Sequence, residues 1–113
     1  MIDRETFSMT YDNFDKEVVV EIIDIFIAEY ADRMAAIKKA IDERNFDGLN
    51  KCSHSLKGVV ANFYDDTTHH LARQLEMKGK EEVIDGAEEI FLDLKAAAGS
   101  LLEELKDLRV QYV

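Results

Sequence analysis

The sequence has no proline, only five glycines and a single cysteine among its 113 residues. Without proline the chain lacks the residue that most sharply interrupts a helix. Cys52 has no second cysteine to pair with, so nothing in the sequence requires an oxidising compartment. The opening stretch MIDRETFSMT lacks both the basic start and the apolar run of a secretory signal. The longest mostly apolar run, Val18 to Ala28, is interrupted by Glu21 and Asp24 and is too short to cross a bilayer. No membrane contact is expected, and the default location is the cytoplasm. Positive charge is also scarce: 14 Lys and Arg against 24 Asp and Glu leave a formal charge of −10. With no basic stripe to offset it, a nucleic-acid backbone is a repulsive partner.

What remains is rich in Ala, Leu, Ile, Glu and Lys, which helices tolerate well. Hydrophobic residues make up 47% of the chain, enough for a packed core, and the length suits one domain over residues 1–113. Residues 1–12 read as a short helix or an ordered arm. From Phe14 to Arg44, Val19, Ile22, Ile23, Phe26, Tyr30, Met34, Ile37 and Ile41 recur at helical intervals. Asn13 or Asp15 is placed to cap this stretch, and its length predicts a bend between Glu29 and Arg33.

Asn45 to Gly48 supplies a turn, after which Leu49, Cys52, Leu56, Val59, Val60 and Phe63 form one apolar face. Asp65 and Asp66 before Thr67 and Thr68 read as the next helix start, with Leu71, Leu75 and Met77 facing inward and Gly79 ending the run. A closing helix over Glu82 to Tyr112 buries Ile90, Leu94, Ala98, Leu101, Leu105, Leu108 and Tyr112. Helices with one apolar stripe each are buried together most simply in an all-α, antiparallel, up-and-down four-helix bundle, with the short N-terminal helix or arm added to it.

On a wheel of about 100° per residue, the side opposite the apolar face of residues 47–63 holds Asp47, Asn50, Lys51, His54, Lys57, Gly58 and Ala61. His54 therefore points to solvent, with Lys57 and Gly58 beside it at one-turn spacing. An imidazole nitrogen is a nucleophile toward phosphorus, and a neighbouring ammonium offsets the charge of the transferred group. Glycine inside a helix costs about 1 kcal/mol relative to alanine. Its presence beside His54 is explained if bulk there would obstruct an approaching group, and the methyl of Ala61 adds to the clearance.

His54-Ser55-Leu56-Lys57-Gly58 resembles the His-x-Leu-Lys-Gly core of histidine-containing phosphotransfer (HPt) domains. Upstream, Ala40 to Asp47 look like that family's helix, turn and helix; downstream, Asn62-Phe63 and then Leu71, Leu75 and Glu76 look like its continuation. The resemblance covers nearly the whole chain. One departure is Tyr64-Asp65, where many members carry a small pair.

The resemblance implies that His54 is phosphorylated, that Lys57 supports the phosphoryl charge and that Gly58 gives clearance. It further implies a phosphorelay carrier that accepts a phosphoryl group from the aspartate of a receiver domain and donates it to another. The partners are then response-regulator receivers or a hybrid sensor histidine kinase, with magnesium held by the receiver and no cofactor on this chain. No kinase activity of its own is expected, since the chain has no Gly-rich nucleotide loop with a Lys-Ser/Thr ending. The competing reading is a non-catalytic interaction bundle.

Docking is expected around Lys51 and Ala61 and, if left uncovered, at Val20 and Ile27, seven residues apart and off the main stripe. Phe7 and Met9 of the N-terminal arm are the alternative cover for that pair. An open transfer face favours a monomer. Cys52 reads as a small buried hydrophobe, and His69 and His70 lack a lysine-glycine context.

Overall fold

A computed structural model describes residues 1–113 and shows five α-helices without strands. They are α1 (Arg4–Tyr11), α2 (Lys16–Asp42), α3 (Phe46–Val60), α4 (Asp66–Glu81) and α5 (Ala87–Arg109), with a 3₁₀ turn at Ala61–Phe63. Short connections reverse the chain between the four long helices. α2 packs on α3 and α5, and α4 packs on α3 and α5, closing a ring around one core. The predicted bundle is the observed one.

The core follows the apolar periodicity. Val19, Ile23, Phe26, Ile37, Leu49, Leu56, Leu75, Leu94, Leu101 and Leu105 are fully buried. α1 closes one end of the bundle, where Phe7 packs against Tyr11 and, edge-on, against Tyr112. Tyr64, the departure from the family pattern, adopts a left-handed conformation (φ 55°). That conformation disfavours a side chain with a Cβ, but α1 and its N-cap residue Asp3 hold the turn at Asn62–Tyr64 by three hydrogen bonds. The Tyr64 hydroxyl accepts from Thr10 Oγ1 at 3.0 Å, the Tyr64 carbonyl accepts from Asp3 N–H at 2.9 Å, and Tyr11 donates to the adjacent Asn62 carbonyl at 3.0 Å.

Several boundaries and faces differ from the sequence expectations. α2 runs without a break through Glu29 to Arg33, because that segment contains no proline, glycine or inserted side chain to bend it. Asp15 stands at its N-cap position but makes no side-chain capping bond. Asn45 caps α3, its side-chain oxygen accepting from Gly48 N–H at 2.9 Å. α3 is rotated relative to expectation: Ser53 is fully buried, whereas Cys52 and Val59 are only partly so.

Gly79 does not end α4. It is buried where α4 crosses α3, and a Cβ there would stand 2.5 Å from the Asn50 backbone nitrogen and 2.7 Å from the Phe46 carbonyl oxygen. The helix stops three residues later, when Glu82 turns left-handed (φ 56°) and Val83 N–H reaches back to the Lys78 carbonyl at 3.0 Å. The last helix accordingly begins at Ala87, not Glu82, and ends at Arg109. Met77 is exposed, because it lies about 200° around the helix from buried Leu75.

Candidate functional site

α3 and α4 carry the residues of chemical interest, and the close crossing at Gly79 sets how those residues meet. His54 lies mid-way along α3, its side chain 71% exposed. Its Nδ1 is hydrogen-bonded to Glu76 Oε2 on α4. The other carboxylate oxygen, Glu76 Oε1, accepts from Lys57 Nζ at 2.7 Å. One carboxylate thus bridges the imidazole and the ammonium, and only 13% of its side chain is exposed.

The charge state of Glu76 decides what the imidazole presents outward. The Lys57 ammonium holds the Glu76 carboxyl below the usual carboxylate range, against partial burial, which raises it; the His54 hydrogen bond lowers it further. An ionised carboxylate has no proton to give, so the hydrogen in the His54 contact belongs to Nδ1. In a neutral ring the lone pair is then on Nε2, which has no partner in the protein. The arrangement produces an exposed, oriented nucleophile whose second nitrogen is fixed by a carboxylate.

Lys57 is less free than the wheel predicts. Its side chain is 23% exposed and lies against α4, paired with Glu76. The same rotation that buries Ser53 brings Lys57 and Asn50 toward α4. Gly58 and Ala61 are exposed, and a Cβ added at Gly58 would meet no atom within 4 Å. The fold therefore supplies no packing reason for that glycine. Lys51 is exposed and paired with Asp47 at 2.9 Å.

Val20 and Ile27 are not brought to this face. Both are half-buried and share a side of α2 with Asp24, which lies within one turn of each. Asp24 is paired with Arg109 of α5, so that side is the edge of α2 toward α5. Met9 is exposed and Phe7 is turned into the core, so cover by the arm is at most the work of Phe7. The large apolar residues that α2 leaves exposed are instead Val18 and Ile25, also seven apart. They are aligned at helical spacing with Glu29 and Asp32, which line the α2–α3 groove with Arg33, Lys51, Cys52 and Ser55.

Glu76 is the functional residue that the local sequence pattern does not reveal. It is 22 positions from His54, among many carboxylates, and nothing in its neighbours marks it. The available signals are its place directly after core residue Leu75, which puts it at the edge of a buried stripe, and its share, with Leu71 and Leu75, in the resemblance noted above. His69 and His70 are not drawn toward His54 by any hydrogen bond, and no group of three or more His, Cys, Asp or Glu side chains is arranged to hold a metal ion. No helix is long and apolar enough to cross a membrane.

A family model described as Hpt domain matches residues 21–110. Comparison with curated proteins finds no match, and comparison with solved structures finds none.

Proposed function

Because the chain belongs to the Hpt domain family, whose members are phosphocarriers in phosphorelays, we propose that His54 accepts a phosphoryl group from a receiver-domain aspartate and donates it to a second receiver. The observation that carries this reading is an exposed imidazole with Nδ1 held by Glu76 and open space over Gly58. A bundle serving only as a scaffold has no use for an unfilled position beside an oriented histidine. The magnesium ion that supports such a transfer belongs, on this reading, to the receiver.

In the accepting step His54 Nε2 attacks phosphorus. The N–P bond forms as the P–O bond to the aspartyl carboxylate breaks, and the carboxylate leaves with the electron pair. The ring acquires positive charge, shared with Nδ1–H, and the adjacent Glu76 carboxylate stabilises it. The donating step is the reverse: with Nδ1 protonated, the imidazole departs from phosphorus as a neutral group. Lys57 offsets the charge of the incoming phosphoryl oxygens, and Gly58 and Ala61 admit the partner surface.

Receiver domains from the source organism, each phosphorylated with radiolabelled acetyl phosphate, are the test. At least one should pass label to this chain, and His54→Gln should receive none. Equal labelling of the variant would overturn the assignment. Gly58→Ala separates access from folding: it should leave the protein as stable or up to about 1 kcal/mol more stable. Transfer should nevertheless fall by about tenfold to a hundredfold, since a misplacement of about 1 Å has that scale of cost. Thermal unfolding and single-turnover transfer, measured on the same sample, report the two effects.

A further inference from the structure

Unneutralised charge is unevenly distributed around His54. On α4, Arg73 lies three residues before Glu76 and Lys80 four residues after it, so both share the strip of helix that meets His54. Both are exposed, and neither is in an ion pair. Lys80 also lines the groove between α3 and α4 with Asn50 and Lys51.

The α2 side is the opposite. Asp32 is exposed and unpaired, on the groove shared with Lys51 and Ser55, while the charge of Glu29 is matched by Arg33 at 3.2 Å. Lys51 and Lys57 contribute little free charge, since Asp47 and Glu76 neutralise them. Closest to His54, the free charge on α4 is that of Arg73 and Lys80, with the unpaired Glu82 at the far end of the Lys80 groove, and the free charge on the groove beside Ser55 is that of Asp32, with the unpaired Lys39 two turns further along α2.

We infer, resting on the phosphotransfer reading, that Arg73 and Lys80 on one side and Asp32 on the other set the orientation in which a receiver docks. The fitting partner has an acidic rim beside its phosphorylated aspartate where it meets α4, and a basic group where it meets α2. Rotated by half a turn, the same partner would place like charges together, which disfavours that encounter. Charges at the rim act chiefly on association and its salt dependence, so the signature belongs in KM and not in the chemical step.

The probe is the receiver that passes label fastest in the profiling described above. With it, the double variant Arg73→Glu/Lys80→Glu and the single variant Asp32→Lys are each compared with the wild type at low and high salt. The double variant should raise KM at least about tenfold at low ionic strength with kcat within twofold, and the difference should shrink as salt screens the charges. Asp32→Lys should raise KM less, in the same salt-sensitive way. Unchanged KM in variants that retain the wild-type melting temperature would overturn this inference alone. A wild type that takes label from no receiver would bring down the phosphotransfer reading and this inference with it. A change confined to the self-association of the chain, seen by sedimentation, would assign the face to a second copy and also overturn it.

Discussion

Gly79→Ala is expected to destabilise the protein by about 2 kcal/mol or more, the scale of overpacking in a tight interior. The added methyl gains helix propensity worth about 1 kcal/mol, and that gain is the smaller effect. A Cβ at position 79 would lie 2.5 Å and 2.7 Å from backbone atoms of α3, and backbone cannot rotate aside as a side-chain tip can. α4 must move away from α3. Glu76 is one turn earlier on α4, so the displacement pulls its carboxylate from His54 and Lys57. Denaturant unfolding should show the lost stability, and transfer through His54 should fall even in conditions where the variant remains folded. Full retention of both would show that the helices are not locked at this crossing. The comparison with Gly58→Ala is instructive because one chemical change has opposite effects on stability at two positions of the bundle.

Glu76→Ala is expected to slow transfer through His54 by about 10- to 100-fold, the scale on which a hydrogen-bonded partner that fixes the tautomer and ring orientation of a metal-bound histidine contributes. The loss should appear in kcat, because Glu76 positions the imidazole and stabilises its developing charge without lying on the outer docking surface. Glu76→Gln should be intermediate: its amide oxygen still accepts from Nδ1–H, but it carries no charge. A purely structural role would predict equal effects on both variants that follow their melting temperatures. Acidification gives a second check. The folded carboxyl is held low chiefly by Lys57, so its pairing contributes fully above the ordinary carboxylate range and is lost as pH falls through the lowered folded value. Wild-type transfer should lose the Glu76 contribution on that acid side, and Glu76→Gln should lack that component of the profile.

Much of this site is legible in the sequence because it lies within five residues of one helix. His54, Lys57 and Gly58 share a face by spacing alone, and the alternation of apolar residues defines the bundle that holds them. What spacing does not supply is the rotation of one helix against the next. Ser53 is fully buried although it is polar and its hydroxyl has no hydrogen-bond partner, and one turn before it α4 approaches α3 closely, with Gly79 against Phe46 and Asn50. That rotation turns Lys57 inward and brings Glu76 to His54. Val20 and Ile27 are both half-buried, Ile27 against the core, and which neighbour covers them depends on the position of α5. A helical wheel contains no information about that. The anchoring of Tyr64 by α1 is likewise invisible locally, since it links residues more than 50 positions apart.

The central claim is that His54 reacts through Nε2 while Glu76 holds Nδ1. Its most direct test is transfer from a phosphorylated receiver to protein labelled with ¹⁵N at its histidines, read by proton–nitrogen and phosphorus NMR. The account predicts one phosphorylated ring, His54, with phosphorus bonded to Nε2 and the proton on Nδ1. Phosphorus on Nδ1 of His54, or on His69 or His70 with His54 unmodified, would contradict it.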